Sequence, residues 1–175
     1  MTQLGDRTCL ITGASSGLGA HFARTLSGAG ARVVLAARRL DRVQALAEEI
    51  RATGGEALPV ALNVSDEKSV VSAFDAAEQA FGIVDTIIAN AGVSAPGRST
   101  EISAESMRSV LDTNVMGVLL TAREGARRMI VAGSRDNGRG RIVLIGSITA
   151  EMTGQGETIY SASKAAVAHM GRNLA

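Results

Sequence analysis

The chain has 175 residues, 46% of them hydrophobic, and a net charge of +1. That is the size and composition of one globular domain with a buried core. It offers neither the basic excess that attracts nucleic acid nor, at 2% aromatic residues, the stacking platforms that single strands need.

Cys9 is the only cysteine, which excludes an internal disulfide. Residues 1–7 lack the charged-then-apolar pattern of a leader, and no apolar run reaches the roughly 18 residues of a bilayer span. A soluble, cytoplasmic protein with no membrane or nucleic-acid partner is expected. His21 and His169 stand far apart with no cysteine, histidine or carboxylate at ligand spacing, so no metal is expected.

Residues 7–12 (R-T-C-L-I-T) form an apolar run that reads as the first strand, and T-G-A-S-S-G-L-G at 12–19 turns it into a helix over 16–29. Gly13 permits the tight turn, Gly17 lets backbone approach a pyrophosphate, and Gly19 lets the helix pack close to the strand. Ser15, Ser16 and Leu18 complete a turn whose free N–H groups, at a helix N-terminus, suit an anion. The spacing G-x-x-x-G-x-G departs from the commoner G-x-G-x-x-G, and a glycine-rich turn without a ligand is the plain alternative.

Next come a strand at 32–37, a helix at 41–53 closed by Gly54 and Gly55, and a strand at 56–61. A helix at 66–81 follows, with Ser65 as cap and Asp66 and Glu67 as first-turn acids. The pattern then predicts a strand at 86–89, one long helix over 103–131, a polar loop S-R-D-N-G-R-G at 134–140 and a strand at 141–145. A stretch at 148–158 rich in glycine and threonine precedes the last helix. Runs such as V-V-L-A-A and T-I-I-A are apolar on both faces, which predicts an α/β fold with a doubly wound parallel sheet. Residues 1–175 read as a single dinucleotide-binding domain.

Tyr160, the only tyrosine, stands four residues before Lys164, so on a helix both face one way. A phenol with a reference pKa near 10 is a poor acid or base at neutral pH. A unit charge about 4 Å away, at an effective dielectric of about 20, favours the phenolate by roughly 4 kcal/mol. The pair is therefore a candidate acid/base unit, although an isolated Y-x-x-x-K is more often a surface pair. Ser147 near the fifth strand is a second candidate, or a turn serine. Asn114 falls mid-helix, where asparagine has poor propensity, and a satisfied buried amide is its simpler reading. Asn90-Ala91-Gly92 ends the fourth strand, at an adenosine ribose or in a plain turn.

With these elements placed, the chain resembles the short-chain dehydrogenase/reductase family from residue 7 onward. The carriers are T-G-A-S-S-G-L-G at 12–19, N-A-G at 90–92, N-V at 114–115, Ser147 thirteen residues before Tyr160, and Y-S-A-S-K at 160–164. The resemblance implies hydride transfer between a nicotinamide cofactor and a carbonyl or alcohol. It implies Tyr160 as acid/base, Lys164 favouring its phenolate and holding the nicotinamide ribose, Ser147 bonding the substrate oxygen, and Asn114 assisting a water-mediated relay to Lys164.

Where NAD sites carry an acid after the second strand, this chain reads Ala37-Arg38-Arg39, which favours NADP (NADPH) over NAD because arginine forks pair with phosphate. Asp41 is expected to cap the next helix instead. Asn63-Val64 stands where the family carries an acidic residue before valine at the adenine.

Family members continue through further strands after the last helix. The C-terminal strands are thus expected to be missing from the chain, with the fifth strand left as an open edge. If the chain truly stops at Ala175, the alternative is a non-catalytic NADP-binding or sensing module. An interaction protein is a weaker alternative, since Ser147, Tyr160 and Lys164 are all present. Stretches V-M-G-V-L-L-T-A and A-A-V-A-H-M on the long and the last helix predict a homodimer or homotetramer, as similar proteins form through these helices.

Overall fold

The runs T-C-L-I-T, R-V-V-L-A-A and T-I-I-A are almost wholly buried strands in the computed structural model, which describes residues 4–175. Residues 1–3, where the segment read for a leader begins, lie outside the described residues. The strands are β1 (Thr8–Thr12), β2 (Arg32–Ala37), β3 (Ala57–Ala61), β4 (Thr86–Ala89) and β5 (Arg141–Leu144). All pair in parallel in the order β3-β2-β1-β4-β5. The reversal of direction beside β1 opens a crevice between β1 and β4 at their C-terminal ends.

Helices cover both faces, as parallel strands require. On one side Ile11, Val33 and Leu35 pack against Ala23 of α1 (Gly17–Gly28) and Val43 and Leu46 of α2 (Leu40–Ala52). On the other, Leu10, Val34 and Ile87 meet Val70 and Phe74 of α3 (Glu67–Phe81) and Met129 of α5 (Gly117–Val131). Phe74, Leu10, Ile11 and Leu35 are fully buried, each contributing about 1.5–3 kcal/mol of hydrophobic stabilisation. Ala89, Val118 and Val167 bring α7 (Thr158–Leu174) onto the same face as α5. Val143 of β5 is 43% exposed, so the far side of this edge strand is open among the described residues.

The predicted strands and the first three helices stand within about one residue of expectation, and four details differ. The helix over 103–131 is α4 (Ala104–Leu111) and α5 joined by a π-helical turn at Asp112–Met116. Part of the polar loop at 134–140 is a helical turn, α6 (Ser134–Asn137), between the left-handed residues Gly133 and Gly138. Asp66, not Ser65, caps α3, its carboxylate accepting from the Lys68 N–H at 3.0 Å. Asp41 lies inside the first turn of α2, whose cap residue is Arg39. Among the described residues, no helix is long and apolar enough to cross a membrane.

Candidate active site

The β1–α1 turn is clamped to the loop after β4. Gly13 holds φ at 68°, and a Cβ there would lie 2.9 Å from the Ala91 Cα, so only glycine lets the two backbones meet. The buried Thr12 hydroxyl accepts from the N–H groups of Asn90 and Ala91, both at 3.0 Å, and the Asn90 amide donates to the Thr12 carbonyl at 2.9 Å. A Cβ on Gly19 would collide with the Gly13 carbonyl, which is the close packing its position predicts. The N-cap of α1, Ser16, makes no side-chain cap bond and the first turn carries no acid, which leaves its N–H groups free for an anion.

A cavity of about 800 Å³ opens over these turns, within the range of small-molecule and cofactor sites. Gly13, Ser15, Ser16 and Leu18 line it from the first turn, and Arg38 and Arg39 from the end of β2. Asn63 and Val64 line it after β3, and Asn90, Ala91 and Gly92 after β4. Gly17 and Gly19 do not line it and act on the shape of the turn. The two arginines differ. Arg39 donates to the Ser15 and Ser16 hydroxyls at 2.8 and 3.0 Å, bracing the turn, whereas Arg38 is exposed with no side-chain hydrogen bond among the described residues. The Asn63 side-chain oxygen accepts from the Ser65 N–H at 3.3 Å.

The predicted catalytic groups stand beside this cavity rather than in its lining. Asn114 sits fully buried in the π-helical turn, next to Thr113, which does line the cavity. Its amide donates to the Val93 carbonyl at 2.9 Å and to the Ser163 hydroxyl at 3.0 Å, and its oxygen accepts from the Val93 N–H at 2.8 Å. Both amide hydrogens are thereby committed. Its three hydrogen bonds from within the π-helical turn account for an asparagine in so unfavourable a position.

Tyr160 and Lys164 lie on the first turns of α7, with the Lys164 Nζ 5.8 Å from the centroid of the Tyr160 ring. Lys164 is 4% exposed and donates to the Ile145 carbonyl at 2.7 Å. Burial pushes its ammonium below the ordinary lysine range. Ser147 lies just beyond β5 and caps a 3₁₀ turn at Ile148–Ala150, its oxygen accepting from the Thr149 N–H at 3.2 Å. The Ser147 hydroxyl also shares a 2.9 Å hydrogen bond with the Thr149 hydroxyl in which either can donate, and with Thr149 as donor the Ser147 proton is left for a catalytic role.

Thr12, Val93, Thr113 and Ser163 complete the site and escaped the sequence reading. Thr12 and Ser163 sit inside motifs already quoted, T-G-A-S-S-G-L-G and Y-S-A-S-K; Val93 acts through its backbone, which leaves no trace in sequence. Among the described residues, no group of three or more histidine, cysteine or acidic side chains gathers as metal ligands.

The family model described as short chain dehydrogenase matches residues 7–175. The chain belongs to the short-chain dehydrogenase family. A cis-4-hydroxycyclohexanecarboxylate dehydrogenase of Sinomonas cyclohexanicum is 37% identical over 173 residues, covering 97% of this chain and 66% of that protein. An uncharacterized oxidoreductase of Myxococcus xanthus is 36% identical over 165 residues, covering 94% and 63%. The chain thus spans less than two thirds of the length of these two curated relatives. A solved short-chain type dehydrogenase/reductase from Mycobacterium marinum superposes with a TM-score of 0.94 at 35% identity, covering 99% of this chain and 68% of that one. The doubly wound sheet is the fold the chain shares with it.

Proposed function

We propose that this member of the family is an oxidoreductase that moves a hydride between NADP(H) and a ketone or secondary alcohol. The observation that carries the reading is Tyr160 and the buried Lys164 ammonium together on α7, adjoining a cavity whose rim holds the uncommitted Arg38. The residues present fit a dinucleotide: an uncapped helix N-terminus for the pyrophosphate, backbone-to-backbone turns for close approach, and a free guanidinium where a 2′-phosphate would sit. NAD lacks that phosphate and gains less from Arg38.

When bound, the nicotinamide supplies or accepts the hydride, and the protein's side chains manage the charge. As negative charge grows on the substrate oxygen, the Tyr160 hydroxyl delivers its proton there, and in oxidation the phenolate takes it back. The Ser147 hydroxyl donates a second hydrogen bond to the same oxygen, strongest when the charge is fully developed. Lys164 places an ammonium 5.8 Å from the centre of the Tyr160 ring, on the side chain's own helix face. Asn114, with both amide hydrogens committed, contributes by fixing the wall between the cavity and α7.

The hydroxylated ring carboxylate named for the Sinomonas relative sets the starting point for substrates. NADPH oxidation is followed with 4-oxocyclohexanecarboxylate and a panel of cyclic and linear ketones. Turnover of a panel member is expected. Tight NADPH binding with no turnover on any member would instead mark a nucleotide-binding module.

A further inference from the structure

The Ser163 hydroxyl spends both its proton and a lone pair inside the protein. It donates to the Tyr160 carbonyl at 2.6 Å, within α7, and accepts from the Asn114 amide at 3.0 Å, across to the π-helical turn. Ser163 is 0% exposed, so no water competes for either bond. Asn114 in turn grips Val93 through both its N–H and its carbonyl, and Val93 lines the cofactor cavity. A continuous path of hydrogen bonds therefore runs from the cavity wall through Asn114 and Ser163 to the backbone of Tyr160. The first of these bonds, serine to a carbonyl one turn back, is common in helices. The second is not local, and it is the only link on this path between α7 and the rest of the site.

Ser161 supplies the contrast. It stands beside Tyr160 in the same motif, yet its buried hydroxyl has no partner among the described residues.

From this path we infer that Ser163 is a positioning residue for Tyr160. It acts through Asn114 and keeps the acid/base hydroxyl in register with the cofactor cavity, an inference that rests on the dehydrogenase reading above. Positioning of this kind matters because a displacement of about 1 Å at a reacting group can cost on the order of a hundredfold in rate.

The chain's composition provides a direct probe. Tyr160 is the only tyrosine and there is no tryptophan, so the tyrosine band of the near-ultraviolet circular dichroism reports the environment of this one ring. Spectra are compared for the parent, Ser163→Ala, Ser163→Thr and Ser161→Ala, with far-ultraviolet spectra and thermal midpoints confirming the fold. Ser163→Ala is expected to lose most of the tyrosine band while keeping its far-ultraviolet spectrum, and Ser163→Thr, which retains a hydroxyl, to recover it. Ser161→Ala is expected to match the parent. A parent-like tyrosine band in Ser163→Ala overturns the inference, as does an equal loss in Ser161→Ala. Should Ser163→Ala not fold, Asn114→Ala removes the other end of the same bond and must flatten the band too; an intact band there overturns the inference equally. The measurement needs neither substrate nor cofactor. A failure of the dehydrogenase reading, seen as no NADPH binding by the parent in a fluorescence titration, is therefore separate from a failure here.

Discussion

Asn114 and Val93 hold each other by a reciprocal pair of hydrogen bonds, amide to carbonyl at 2.9 Å and N–H to amide oxygen at 2.8 Å, as two residues of neighbouring strands would. The loop after β4 is thereby tied to a helix by a side chain imitating backbone. Asn114 is fully buried, so a residue unable to both donate and accept leaves polar groups unmet. Asn114→Leu is expected to lower the unfolding free energy by about 2–6 kcal/mol, at roughly 1–3 kcal/mol for each of the Val93 N–H and carbonyl groups left unmet. Urea denaturation measures it. A leucine variant as stable as the parent would show that the pairing contributes nothing.

Arg38 and Arg39 are adjacent, yet only Arg39 is engaged in bracing the Ser15-Ser16 turn. Arg38→Asp is expected to reverse the preference for NADPH over NADH, because a charge-assisted bond to the 2′-phosphate, about 1.5–3 kcal/mol or roughly tenfold or more in affinity, becomes a repulsion. Arg39→Ala is expected to weaken both cofactors alike by loosening the turn. Fluorescence titration of each variant with each cofactor separates the two roles, and equal affinities of the parent for NADPH and NADH would defeat the assignment of Arg38.

Lys164 carries a stability cost that its position in the site explains. Burial lowers its pKa in the folded chain, so between that value and the ordinary lysine value near 10.4 the unfolded chain binds more protons and stability rises with pH. At neutral pH the folded chain bears the full cost of the desolvated ammonium. Lys164→Met is therefore expected to lose turnover and, since relief of the buried charge is offset by leaving the Ile145 carbonyl without its donor, to fall further behind the parent in stability as pH climbs toward the lysine range. Denaturant midpoints across that range check the sign. A methionine variant that gains on the parent as pH rises toward the lysine range would reverse it.

Much of this was legible because strand burial and the cofactor turn leave strong traces. The β2 run R-V-V-L-A-A could only be a strand covered on both sides, and Gly13 and Gly19 announced positions where a Cβ has no room. The π-helical turn at Asp112–Met116 was not legible. One extra residue in a turn shifts the apolar pattern by less than the scatter of a long amphipathic helix, and only the misplaced Asn114 hinted at it. The α6 turn was hidden by its polar composition, since its ends are set by left-handed glycines rather than by an apolar face. Asp66 and Ser65 are both good caps, and the choice rested on backbone geometry alone.

Met116 and Leu119, exposed at 47% and 37%, lie on the same face of the sheet as α7, whose outward side carries small residues such as Ala165 and Ala166. An isologous dimer, or a tetramer built from it, is expected to cover them. Light scattering at micromolar concentration should give a multiple of the monomer mass, and Leu119→Glu should return it to the monomer value. A monomeric parent would dismiss the assembly, and an unaffected glutamate variant would move the interface elsewhere.

Tyr160→Phe tests the central claim most directly, because it removes one oxygen and leaves the ring beside Lys164. NADPH-dependent reduction is measured for parent and variant with the ketone the parent turns over, alongside NADPH affinity by fluorescence. The expected result is a loss of turnover of at least about 10²-fold, the lower end of what a positioned proton donor contributes, with nucleotide affinity nearly unchanged. Turnover within about tenfold of the parent would contradict the assignment of Tyr160 as the acid/base.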